Sequence, residues 1–131
     1  MSRGAVASGN ITPSTVLILD TSKTANQVLQ ASSATANPLY GIAQAGTRNA
    51  PFGVLNDGFA AIAGGTLNVF TAPDTCQVLT GAAFNAGVML TTDSSGRAVA
   101  ATAGQYCIGE SIDASPGLGY LVEVKIMPQQ L

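Results

Sequence analysis

The sequence predicts an all-β protein: a single small β-barrel or β-sandwich-like domain of short antiparallel strands. Three observations carry this. Fifteen glycines and six prolines punctuate nearly the whole chain. The runs between them are rich in Val, Ile, Leu and Thr and alternate at strand spacing, not helix spacing. Only 9% of the 131 residues are charged, far below the roughly 25% of an ordinary soluble domain, so salt-bridged long helices and coiled coils have no material to form. The apolar fraction of 47% argues equally against disorder.

The elements follow in order. Residues 1–12 have no period and consist mostly of Gly, Ser, Ala, Asn and Thr. They offer little apolar surface against an ordering cost of roughly 1–2 kcal/mol per residue, so a flexible N-terminal arm is expected. Such an arm reads as a docking strap, with Ile11 as a small apolar anchor and Arg3 as a contact to an acidic patch on a partner. Residues 13–131 then form the single β domain.

Within it, residues 16–19 read as a strand ending at Asp20. Residues 59–63 and 66–71 read as strands joined by Gly64-Gly65, a dipeptide suited to a two-residue hairpin turn. Residues 66–71 and 75–80 flank Ala72-Pro73-Asp74 and read as another hairpin. Residues 88–92 and 98–102 flank Asp93-Ser94-Ser95-Gly96, where Asp bonds its own backbone and Gly takes the positive φ. The last strand, residues 121–126, places Val122, Val124 and Ile126 on one face and Glu123 and Lys125 on the other; Pro128 is expected to end it.

Lining up the turns reveals an internal repeat. The first copy runs through residues 16–22, 28–31 and 40–43, and the second through 88–95, 98–101 and 108–111. Each is a strand, an Asp-led polar turn, a strand, a small-residue loop, and a strand broken by Gly41 or Gly109. Similar hairpins share turn chemistry by necessity; a true repeat implies a fold of two similar halves.

Chemistry is scarce. With no His, neither a Ser-His-Asp nor a Cys-His arrangement can be built, and two Cys alone make no zinc site. No phosphate-binding glycine loop is present. No catalytic, cofactor or metal site is therefore expected. Asp20 follows an apolar run and precedes Thr21-Ser22, which approaches the Asp-Thr-Gly of aspartic proteases, whose paired carboxylates share a proton. Position 22 is Ser where that loop wants Gly, so a turn-opening Asp is the reading adopted. Glu110 alternates with Ile108 and Ile112 and would face the core unless Gly109 forms a bulge, which is the expectation here. Cys76 and Cys107 are read as buried free thiols, a disulfide being the alternative.

Net charge is −2, and the five basic residues are scattered singly, so nucleic acid is a poor partner. The longest apolar run, residues 59–63, falls far short of the roughly 20 residues of a membrane span. Arg3 is followed by Gly, Ser, Asn and Thr with no apolar stretch of a signal peptide, and synthesis in the cytoplasm is expected. A surface so poor in charge suits coverage by another protein.

The order of motifs resembles that of the small head-decoration, or capsid cement, proteins of tailed bacteriophages. The resemblance runs over about residues 14–127. It is carried by Asn85-Ala86-Gly87-Val88-Met89-Leu90, the Asp93-Ser94-Ser95-Gly96-Arg97 turn and returning strand, Cys107-Ile108-Gly109-Glu110, the small-residue loop 114–119 and a final Val-x-Val strand. In the first half Leu19-Asp20-Thr21 and Gly41-Ile42-Ala43-Gln44-Ala45-Gly46-Thr47-Arg48 match as well. Val88, where the family often has Asp, and the low Lys, Arg and Glu content depart from the pattern. The resemblance implies a non-enzymatic virion protein, commonly a homotrimer, that contacts the major capsid protein on the outside of the shell at capsomer junctions and resists the pressure of packaged DNA. Two rival classes remain: a homodimeric aspartic-protease-like enzyme using Asp20, and a phage adhesion or carbohydrate-binding module. The latter usually needs aromatic platforms, and this chain has no Trp.

Overall fold

A computed structural model describes residues 2–20, 27–33, 38–44, 60–72 and 74–130 of the chain. Among the described residues there are ten strands and no helix: β1 (Ser2–Ala7), β2 (Val16–Leu19), β3 (Gln27–Gln30), β4 (Gly41–Ala43), β5 (Thr66–Phe70), β6 (Thr75–Leu79), β7 (Met89–Thr92), β8 (Ala98–Ala100), β9 (Tyr106–Ser111) and β10 (Leu121–Gln130). Strands β1 to β5 close into a barrel in the order β1-β3-β2-β4-β5, and β6 to β10 form a sheet in the order β6-β10-β9-β7-β8. The all-β expectation holds.

The two sets of five are the same arrangement. Matching β1 with β6, β2 with β7 and so on reproduces every neighbour relation, and the register agrees residue by residue. Leu17 faces Gly41 as Leu90 faces Gly109, and Arg3 faces Val69 as Cys76 faces Val124. The bridge between Ile11 and Ala61 recurs between Phe84 and Ser115. The parallel β1–β3 pairing that closes the barrel, Ala7 with Val28, recurs as the single parallel bridge of Thr80 with Ala98. The repeat visible in the sequence at Asp20/Asp93 and Gly41/Gly109 is thus part of a duplication that spans all ten strands.

Gly41 and Gly109 explain themselves by contact. A Cβ on Gly41 would run into the Phe70 carbonyl oxygen, and one on Gly109 into the Lys125 carbonyl oxygen, so only glycine lets β4 and β9 lie against their partners.

The first barrel is filled by small residues: Ala5, Ala7, Ala43, Ala60 and Ala61 pack with Ile11, Leu17, Val28, Leu67 and Val69. The second cluster joins Val16, Ala31, Leu39 and Ile42 of the first half to Val78, Phe84, Leu90, Ala98, Ile108, Val122, Val124 and Ile126 of the second. The halves therefore share a core, and main-chain bonds from Val16 N–H to Gly96 O (2.8 Å) and from Leu79 N–H to Ser14 O (2.8 Å) cross between them.

Four expectations are corrected. The flexible arm of residues 1–12 is instead barrel structure: β1 pairs with β5 from Ser2–Phe70 to Val6–Thr66, and Ala5, Ala7 and Ile11 are buried. Its weakness in apolar surface is no handicap, because the narrow interior of a five-stranded barrel takes small side chains. The hairpin of residues 66–71 with 75–80 does not form, since β5 stays in the barrel while β6 opens the second sheet. Residues 60–63 form no strand; after the turn that Gly65 N–H closes onto Ile62 O (2.8 Å), β5 pairs with β1 and β4 instead. Finally, Pro128 does not end the last strand. β10 runs on to Gln130 through a register shift between Ile126 and Gln129, and Pro128, lacking an N–H, sits inside that irregularity.

The hairpin of β7 and β8 forms as expected, from Leu90–Ala100 to Thr92–Ala98. Asp93 Oδ1 accepts from Ser95 N–H (2.8 Å) and Arg97 N–H (2.9 Å), and Gly96 takes φ 78°. Phe59, Thr21, Ser22, residues 34–37 and residues 45–48 lie outside the described residues.

Candidate interaction surface

Of the two residues singled out as contacts, the structure describes the side chain of Ile11 alone. Ile11 is fully buried, its N–H bonded to Ala61 O (2.9 Å), and is a core residue of the barrel. Arg3 lies in β1 opposite Val69; its side chain is outside the described residues. Strand pairing from residue 2 onward accounts for the order of this stretch.

The Asp93 carboxylate is used structurally. Asp93 has one oxygen on two backbone N–H groups and the other on Arg97 Nε at 2.9 Å. Asp20 occupies the equivalent place, its N–H donating to Gln27 O (2.9 Å) as Asp93 N–H does to Arg97 O (2.9 Å). A carboxylate so engaged holds a turn. Glu110 is exposed, while Ile108 on the same face is buried. The pairing of β9 with β10 is regular from Ser111 to Gly109 and shifts between the Gly109–Ile126 and Cys107–Gln129 pairs, so an irregularity does meet Gly109, with the extra residue on β10. Ile108, on the shifted side of Gly109, belongs to the shared core, and Glu110, on the regular side, lies opposite Lys125.

Both cysteines are free, Cys107 buried and Cys76 half-buried. Burial pushes the Cys76 thiol up from 9.0 to about 12 and raises that of Cys107 as well. Thiols held neutral in this way are poor nucleophiles and poor metal ligands. Among the described residues, no group of three or more Cys, Asp or Glu side chains is placed to hold a metal ion.

What the surface does offer is apolar. Leu118 (61% exposed), Tyr120 (51%), Leu121 (51%) and Ile112 (46%) lie on the loop leading into β10 and at the facing end of β9. Ile112 N–H bonds Glu123 O (2.9 Å), which brings it beside the start of β10. The loop is fixed from beneath. Thr80 Oγ1 accepts from Tyr120 N–H (3.1 Å), and the Thr80 and Ser115 hydroxyls each lie 2.8 Å from Gly117 O and 3.1 Å from each other. Gly119 N–H adds a bond to Thr80 O (2.9 Å). At the other end of β10 a groove of about 140 Å³ is lined by Pro38, Leu39, Tyr106, Pro128, Gln129 and Gln130. In the sequence, residues 114–119 read only as a small-residue loop. A Leu and a Tyr bracketing its last glycine were the available signal, and exposure is what gives them meaning.

No family model matches the chain, and no curated protein matches it by sequence. Among solved structures, the crystal structure of the head fiber gp8.5 N base in bacteriophage phi29 is similar, with a TM-score of 0.64 at 19% identity. The likeness covers 100% of this chain and 97% of that one, so the whole ten-strand arrangement, and not one module of it, is the shared fold.

Proposed function

We propose that this chain is a structural protein of a tailed-phage head, bound on the outer capsid surface at capsomer junctions, where it stabilises the shell against the pressure of packaged DNA. The observation that carries the reading is the end-to-end likeness of fold to the base of a phage head fiber. Fold alone does not assign function; here it coincides with a motif order that resembles head-decoration proteins and with a surface poor in charge. The partner is the major capsid protein, and the chain acts as a homotrimer, three linked contacts raising avidity by orders of magnitude. Arg3 stays in this reading as a contact residue, whereas Ile11, buried in the barrel, does not.

The test uses expanded heads that lack the protein. Purified chain is added, bound protein is measured by co-sedimentation, and the temperature of DNA release is compared with that of bare heads. Binding with a raised release temperature is the expected result. Absence of binding would overturn the reading. Binding at an unchanged release temperature would overturn stabilisation and leave an attachment base in its place, as in the head fiber.

A further inference from the structure

The first half closes its barrel directly, and the second does not. In the first, Val6 faces Gln27 and Ala7 faces Val28 across the seam between β1 and β3. In the second, Thr80 still faces Ala98, but Leu79 and Arg97, the counterparts of Val6 and Gln27, do not face each other. Residues of the first half enter the gap instead. Leu79 N–H donates to Ser14 O (2.8 Å), and Gly96 O, next to Arg97, accepts from Val16 N–H (2.8 Å). We infer that residues 12–16 are a strap standing in for the missing seam: the second half is closed only while the strap is seated, and lifting it is the first opening of the folded molecule. This is a property of the chain itself and is independent of the proposed function.

The strap has a clasp of its own. Gln30 Oε1, on β3, accepts from Thr12 N–H (2.9 Å) and from Thr12 Oγ1 (3.1 Å), while Gln30 Nε2 donates to Ser95 O (2.6 Å) in the β7–β8 turn. The Gln30 stem lies so close to Gly96 that a Cβ there would fall 2.7 Å from its Cγ. One side chain thus ties the strap to the turn whose carbonyl receives Val16. The fold does not require this clasp. At the places of Thr12 and Gln30 the second half has Asn85 and Ala100, and its residues 85–89 enter no seam among the described residues.

The same segment is poised to leave before the rest. Ser14 holds φ 59°, a left-handed conformation disfavoured for any residue with a Cβ, where the second half has Gly87 at φ 79°. Two main-chain bonds and the Gln30 amide hold the strap in the seam, whereas β6 and β10 pair at five consecutive positions. Lifting the strap breaks no rung of that ladder and leaves the bond from Gly81 N–H to Ala98 O (2.8 Å) in place. Such a local opening lies below the cooperative unfolding of the shared core.

Native-state hydrogen exchange of the full chain, read amide by amide by NMR in low concentrations of urea, is the test. In the parent, Val16 and Leu79 should exchange through one shared opening with a weaker urea dependence than Ile126, whose N–H bonds Asp74 O (2.9 Å) away from the strap. The same urea dependence at all three would show that the strap leaves only with global unfolding, overturning the inference. Gln30→Ala removes the clasp and keeps the β2–β3 pairing, and it should speed exchange at Val16 and Leu79 at least about tenfold; unchanged rates there overturn the inference. Leu67→Ala empties part of the first barrel away from the strap. It should speed exchange at Ile126 about twentyfold or more and leave Val16 and Leu79 at the parent's rates. Equal acceleration at all three amides in this variant would tie the strap to the whole fold and overturn the inference.

Discussion

Where the first half has Ala7, Ala61 and Ala43, the second has Thr80, Ser115 and Ser111 at the same register positions. Where the first pairs Ile42 with Phe70 across β4 and β5, the second pairs Glu110 with Lys125 across β9 and β10. Strand order, turn bonds and the two close-approach glycines survive these changes. What is common to the halves is therefore backbone: the pairing ladder, plus the alternation that puts one side chain in two inside. What differs is which surface each side chain meets. Ile42 is buried in the core the halves share, and Phe70 packs against it; Glu110 and Lys125 are exposed and carry opposite charges across a strand pair, which favours them there.

The shared core predicts that the halves unfold together, and the glycines test this hardest. Gly41→Ala and Gly109→Ala each force a Cβ onto a backbone carbonyl that cannot rotate away. Each substitution should cost about 3 kcal/mol or more, the upper end for overpacked sites, in a single chemical-denaturation transition. Two separated transitions in Gly41→Ala, with the second half still folded, would show that the common core is too weak to couple them.

The hydroxyls come next. Thr80→Ala leaves the buried Ser115 hydroxyl and the Tyr120 N–H without one partner each, and should cost about 1–3 kcal/mol. Ser115→Ala should cost somewhat less. The double variant makes this corner resemble the alanine-lined first half. Its cost should fall below the sum of the single ones by more than about 0.5 kcal/mol, the coupling expected within one network. Additive costs in urea titrations would mean that the two hydroxyls act independently.

The sequence disclosed what is local. Asp93, Ser95, Gly96 and Arg97 close their turn with their own atoms, and Val122, Val124 and Ile126 alternate without interruption, so both elements were legible. The terminal strand was not, because Ala5 and Ala7 carry no bulk to mark a period, and only the narrow barrel makes them core. The change of sheet between β5 and β6 was hidden too, since nothing in residues 71–74 states which sheet the next strand joins. Glu110 outside the core and an irregularity beside Gly109 were legible; that the extra residue sits on β10 was not, because it depends on the partner strand. The apolar surface falls in the same class, as Leu118 and Tyr120 acquire significance only from exposure and from Thr80 nearly 40 positions away.

A smaller effect, of opposite sign, comes from Thr91. Its hydroxyl is buried with no partner, at the place where the first half has Ile18. Thr91→Val keeps the shape and removes an unsatisfied group, so it should raise stability by about 1 kcal/mol. Thermal melts of the variant and parent decide it: a lowered midpoint would show that the hydroxyl is bonded in solution, by water for instance.

The last contrast is one of charge at a single register position, Arg3 in the first half and Cys76 in the second, facing Val69 and Val124. An arginine stays charged at every accessible pH, so pH dependence at this place belongs to the second half alone. Burial pushes the Cys76 thiol from 9.0 up to about 12. The folded chain thus holds the proton more tightly than the unfolded chain. The stability this contributes is fully present below pH 9.0 and is lost as pH rises toward about 12. Replacing the thiol by Cys76→Ser should flatten that decline, with the parent and variant denaturation midpoints drawing together between these limits. The effect is the smallest of the four because the side chain is only half-buried and water screens part of the penalty. Parallel declines in the two proteins would place the titration elsewhere, Cys107 first, since burial raises its thiol too.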